Sequence, residues 1–320
     1  TMTATDVVSS TDNDANDITL QAAAGDVLVG VVDAGTTAGD VSITATAGGI
    51  VDGTADDAVA DVIGDDLVLT AQSAVGEADA SGNASIDTTA DTLDVSVTAA
   101  GLINIDETDA VTLADVDTFD GSITIDSGNT MTATDVVSST DHDDNDITLQ
   151  AAAGNVLVGV VNAGVNDGDV SITATTGGID EFGSDPDSDI NAEDIELVAV
   201  TGIGNAAQMQ INGTNLAATT TSGDVNLQDT TGGLTITSIG GTIGVQITAG
   251  AVGDDITVRA SSPLTINSPV VNNAGGDIVL AAEGNTVADD MTINANITAT
   301  GGNGNISLFA GHDVLHNAGT

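Results

Sequence analysis

TMTATDVVSSTDNDANDITLQAAAGDVLVGVVDAGTTAGDVSITATAGGI occupies residues 1–50, and TMTATDVVSSTDHDDNDITLQAAAGNVLVGVVNAGVNDGDVSITATTGGI occupies residues 130–179. The two stretches agree at 42 of 50 positions, aligned without a gap from Thr1 on Thr130 to Ile50 on Ile179. Their differences gather where turns are expected: Asn13 against His142, Ala15 against Asp144, and Thr36-Thr37-Ala38 against Val165-Asn166-Asp167. Such a pattern predicts an aliphatic framework that is fixed and turn tips that are free.

Inside this long repeat runs a shorter phrase, an Asp, Asn or Gly followed by aliphatic–polar–aliphatic. It appears as Asp17-Ile-Thr-Leu20, Asp40-Val-Ser-Ile43, Asp94-Val-Ser-Val97, Asp255-Ile-Thr-Val258 and Asn305-Ile-Ser-Leu308, among others. Alternation with period two, rich in β-branched residues, is a strand signature. No window carries a helical stripe, and each strand is bounded by the turn formers Gly, Asp and Asn. From Ile18 to Val27 is 9 residues and from Val27 to Val41 is 14; Ile147, Val156 and Val170 repeat both steps. Strands this short, returning at such intervals, fit a solenoid better than hairpins with two-residue loops. The expected fold is all-β, a right-handed parallel β-helix of roughly 20–25-residue coils. One continuous solenoid is expected over 1–320, with roughly 14 coils at about 4.8 Å each, a rod about 65 Å long. Because the chain starts within a repeated phrase, it is expected to be a segment of a longer polypeptide.

Composition narrows the function classes. The chain carries 49 Asp+Glu against one Lys+Arg, a formal net charge of −48. Hydrophobic residues still reach 41%, too many for an acidic disordered tail. Aromatics are 1%, so the interior is expected to be narrow and filled by Val, Ile, Leu and Ala. Nucleic-acid binding is all but excluded, because phosphate contacts need Lys and Arg. No run of 18 apolar residues predicts a membrane span, and anionic headgroups would repel this surface. With no cysteine, disulfides play no part.

Three phrases carry a family resemblance: GDVSITATAGGI (39–50), TSGDVNLQDTTGGLTI (221–236) and GGDIVLAAEGNTVADDMTINANITATGGNGNISLFAGHDVL (275–315). They resemble the repeats of filamentous-haemagglutinin-type exoproteins, very large bacterial surface adhesins. The resemblance covers nearly the whole chain. It implies an extracellular or cell-surface rod serving attachment, matrix or filament roles, and it brings no catalytic residues with it.

Other chemistries fit less well. Parallel β-helices include polysaccharide lyases and hydrolases, but here the only cationic side chain of the Lys/Arg class is Arg259 and the only aromatics are Phe119, Phe182 and Phe309. Asp pairs such as Asp65-Asp66, Asp254-Asp255 and Asp289-Asp290 recur with the turns, which marks a building rule, and the chain is read as not an enzyme. His312 and His316 have i, i+4 spacing in a strand-and-turn context, and are read as surface histidines. Thr pairs such as Thr44/Thr46 do not recur in every coil, as an ice-binding face would need. Gly301–Asn305 lacks the Asp of the calcium-binding nonapeptide.

The acidic turns are the metal candidates. Asp12, Asp14 and Asp17, and their counterparts Asp141, Asp143 and Asp146, place carboxylates at near-alternate positions, a chemistry suited to Ca²⁺. Asp185–Asp189 has a similar pattern. The EF-hand's Gly and Glu are absent, and a soluble, salt-adapted acidic turn is the competing reading. The functional expectation is a structural or adhesive extracellular rod. Its partners would be other copies or segments of the same giant protein, or cell-surface glycans and proteins of another cell. A carbohydrate-active enzyme and a salt-adapted ligand-binding module are the alternatives.

Overall fold

The computed structural model describes residues 1–53, 59–77, 85–183, 186–284 and 286–319, which form thirty-two strands and no helix. Thirty strands join in one sheet. Parallel stacking governs that sheet, as in Ile103–Glu107 on Ile123–Ser127 and Ile123–Ser127 on Ile147–Ala151. Among the described residues the one antiparallel strand pair is Ser238–Ile239 with Thr242–Ile243. Among them, too, no helix is long and apolar enough to cross a membrane.

Period-two alternation produces this arrangement directly. In Val41–Ala45 and in Val170–Ala174 the aliphatic positions are buried while the Ser and Thr between them are half-buried. Parallel stacking sets like on like, so Ile103 lies over Ile123 and Ile123 over Ile147. Each such fully buried aliphatic side chain contributes about 1.5–3 kcal/mol of transfer free energy. The interior excludes rings: Phe119, Phe182 and Phe309 are 54%, 45% and 58% exposed.

One inward column runs from Leu20 through Ile43, Leu69, Val95, Val116 and Val136 and on to Ala310 in twelve register steps. The mean coil is thus about 24 residues, and at about 4.8 Å per step the column is about 58 Å long. The solenoid has about 12 turns rather than roughly 14, because several steps are long, such as those from Ile43 to Leu69 and from Asp229 to Ala260.

The long repeat is out of phase with the coil. A second column runs from Met2 through Val27, Ile50, Val75, Ile103 and Ile123 to Ile147. Ile147 is the counterpart of Ile18, not of Met2. The offset between the copies amounts to about five and a third mean coils, so the second copy is rotated about the axis relative to the first.

Glycine is required where coils turn tightly. A Cβ on Gly39 would lie 2.0 Å from the Ala34 carbonyl oxygen, and one on its counterpart Gly168 would lie 2.0 Å from that of Ala163. Gly35 and Gly164, at φ of 95° and 97°, leave room for the carboxyl groups of Asp12 and Asp141.

Candidate functional site

In many of the strand phrases the opening Asp accepts a hydrogen bond from the backbone of the next coil. Asp40 N–H donates to Asp17 Oδ1 and Asp66 N–H to Asp40 Oδ1, both at 3.3 Å. In the second copy Asp169 N–H donates to Asp146 (3.2 Å) and Asp194 N–H to Asp169 (3.1 Å). A separate run, in the column of Val156, Ile179, Ile203 and Val225, passes through Asn205, Asp224, Asp255, Asp277 and Asn305 at 2.7–3.0 Å. These side chains satisfy strand-entry amides that would otherwise lack partners.

Of the expected metal ligands, Asp12 and Asp141 do equivalent work. The Asp12 carboxylate accepts the Thr37 and Ala38 amides at 3.1 and 2.9 Å. Asp141 accepts the amides of Asn166, Asp167 and Gly168, and the Asn166 side chain at 2.5 Å. Burial pushes the Asp141 carboxyl up, but these hydrogen bonds outweigh it and hold the group below the usual carboxylate range. Asp14 and Asp143 are exposed. Among the described residues, none of these six belongs to a group of three acidic or histidine side chains with ligand atoms within 4.8 Å of one another. The structure thus places them along coil edges instead of around a point. In the Asp185–Asp189 turn, Asp185 lies outside the described residues; Asp189 is buried and accepts the Gln210 amide at 2.7 Å.

The turn tips are less free than their variability implies. Asp26 accepts the Gly49 amide at 3.0 Å, and its replacement Asn155 accepts that of Gly178 at 2.9 Å. Asp33 and its replacement Asn162 likewise accept the Gly35 and Gly164 amides. At both positions an acceptor oxygen is what is kept, with or without a charge.

One region departs from the repetition. The hairpin at 238–243 reaches back over earlier coils, where the Thr242 amide donates to Glu196 Oε1 and the Ser171 hydroxyl to Glu196 Oε2, both at 3.3 Å. Beside it lies a groove of about 390 Å³ lined by Asp146, Asp169, Asp194 and Glu196 with the hydroxyls of Thr148, Ser171 and Ser238. Burial pushes the Asp169 carboxyl up to about 6; the Asp194 amide opposes this, and the charges of Asp194, Asp146 and Glu193 add to it. The groove concentrates negative potential and attracts cations.

Two inward acids escaped the sequence reading. Asp229 takes a column position between Ile211 and Ala260, fully buried, and its carboxylate makes no hydrogen bond of good geometry. Burial pushes it up to about 7, opposed by the nearby amides of Gly213, Ser261 and Thr231. Glu107, 3% exposed, accepts the Thr88 hydroxyl at 2.6 Å and the Ala90 and Asp109 amides, and burial holds it at about 7. Parity was the available signal: in Val225-Asn-Leu-Gln-Asp229 and Ile103-Asn-Ile-Asp-Glu107 each acid falls on the inward register.

The histidines do not converge. His316 lies with a ring nitrogen 3.0 Å from the Gly319 carbonyl, while His312 faces Asp290 and His142 faces Asp120. Arg259 is paired with Glu283 at 2.7 Å. Comparison of the chain with protein-family models, with curated proteins and with solved structures gives no match.

Proposed function

We propose that this chain is a structural and adhesive rod, a segment of a large repetitive extracellular or cell-surface protein of the filamentous-haemagglutinin type. The observation that carries this reading is the inward column that runs from Leu20 to Ala310 while amide-accepting Asp and Asn residues recur at the turns. A rod built this way presents acidic turns along much of its length, on more than one face. That suits a spacer or filament, which needs length and repeated weak contacts more than one shaped pocket. The high negative charge disfavours collapse of rods onto one another and makes cations part of any lateral association.

The groove beside the 238–243 hairpin keeps a second reading in play, a carbohydrate-active solenoid using a carboxylate pair. Imaging the native assembly, together with an assay for release of reducing ends from polysaccharides, separates the two. The expected result is surface-attached or filamentous rods with no polysaccharide cleavage. Free monomers that cleave a polysaccharide, and lose that activity in Asp169→Asn or Glu196→Gln, would replace the rod with the enzyme.

A further inference from the structure

The Asp ladder places successive carboxylates one coil apart, about 5 Å along the axis. By itself it never brings three ligand atoms together among the described residues. At one level it does: Asp290, His312 and Asp313 have ligand atoms all within 4.8 Å of one another. Asp290 and Asp313, which precede Met291 and Val314, make a single contact of the ladder type, the Asp313 amide donating to Asp290 Oδ1 at 3.1 Å. What differs is the residue before the lower Asp. In the ladder that residue is Gly before Asp40, Asp169, Asp224 and Asp277 and an acid before Asp66, Asp194 and Asp255, whereas here it is His312.

The backbone holds the imidazole in place. His312 N–H donates to the Asp289 carbonyl at 3.0 Å, and the ring then sets Nδ1 at 2.9 Å from Asp290 Oδ1 and 3.3 Å from Asp313 Oδ2. In a tetrahedral site with bonds of about 2.0 Å, neighbouring ligand atoms are about 3.3 Å apart. The two separations are already near that edge length. Asp290 Oδ1 can keep the Asp313 amide while it ligates, because a carboxylate oxygen has two lone pairs.

We propose that Asp290, His312 and Asp313 form a binding site for a borderline divalent transition-metal ion, Zn²⁺ first among them, which pins the turn before Met291–Ile293 to the turn before Val314–His316. The donor set decides the class of ion. One imidazole nitrogen and two carboxylate oxygens suit Zn²⁺, whereas Ca²⁺ requires six to eight oxygens, more than this turn pair offers. Water completes the shell on the exposed side. His142 supplies an internal control: its Nδ1 lies 3.1 Å from Asp120 Oδ1, one coil above, yet no third ligand atom among the described residues joins them.

The chain has three histidines, so its imidazole resonances can be followed individually. Titration of the intact chain with Zn²⁺ should shift the His312 resonances alone and saturate at one ion per chain. Excess Ca²⁺ should leave the shift in place. His312→Ala should lose that ion while His142→Ala keeps it, and Asp290→Asn should weaken binding at least tenfold. Circular dichroism in chelator should be the same for all variants. Equal shifts at all three histidines, no shift at all, or full Zn²⁺ uptake by a folded His312→Ala chain would each overturn the assignment. The titration of the unmodified chain keeps the test valid even if a variant fails to fold.

Discussion

The segments 1–50 and 130–179 are nearly the same sequence in two settings. Met131–Ser138 is covered by Val111–Asp120 above and lies on Val156–Gly164 below, and its inward residues are buried. Met2–Val8, with the same residues, has the equivalent strand Val27–Asp33 below it, and its pattern is mostly exposed. Leu149 is fully buried and Leu20 only partly. Asn145 is fully buried and donates to the Thr140 carbonyl at 2.5 Å; Asn16 makes the same bond to Thr11 at 2.9 Å while half-exposed. Local turn geometry is therefore written in the phrase itself, and burial is supplied by the neighbouring coil. In a solenoid each unit is stabilised by its own contacts and by nearest-neighbour interfaces, and this pair separates the two contributions.

The largest expected difference is in the core. In residues 1–320 on their own, Leu149→Ala should cost about 2–5 kcal/mol, and Leu20→Ala less than half of that, because the cavity term needs a surrounding that cannot relax. Urea unfolding monitored by circular dichroism measures both. Equal losses would mean that coil coverage does not set the energetics.

A smaller difference is expected at the turns. Asp141 accepts more hydrogen bonds than Asp12, so Asp141→Ala should lower stability by about 1 kcal/mol and Asp12→Ala by less. Melting in low salt, with chelator and then with millimolar Ca²⁺, sharpens this comparison. If Ca²⁺ raises the melting temperature beyond NaCl at matched ionic strength, and Asp141→Ala abolishes that excess, the turn binds the ion as well as the amides. Equal effects of the two salts leave only screening.

A pH-dependent effect concerns the buried and clustered carboxyls. The folded Asp169 carboxyl, at about 6, lies above its ordinary value of 3.8, so the folded chain holds that proton more tightly than the unfolded one. Stability from this group is full below about 4 and falls as pH rises through 6. Asp169→Asn should therefore raise the melting temperature at pH 8 and make no difference at pH 4. Glu107 and Asp229, at about 7, act with the same sign, so the parent rod should itself gain stability between pH 8 and pH 5. A parent chain that melts earlier on mild acidification would contradict the ladder electrostatics.

Period two, β-branched residues and turn formers at regular intervals determined that the chain forms short strands and stacks them in parallel, because alternation and turn chemistry act over a few residues. The small aliphatic composition likewise determined a narrow interior that leaves every Phe outside. The site was legible only as a list of acidic turns. Whether Asp17 meets an amide, or Asp290 meets His312, depends on partners 22–23 residues away. Axial steps in this chain are unequal, and the one from Ile211 to Asp229 is far shorter than the next, from Asp229 to Ala260. Those differences accumulate along the chain, turn the second copy of the repeat about the axis, and bring residues into contact that no fixed spacing in the sequence relates. Tertiary structure alone decided which carboxylates cap amides, which lie buried in the column, and which gather beside a histidine.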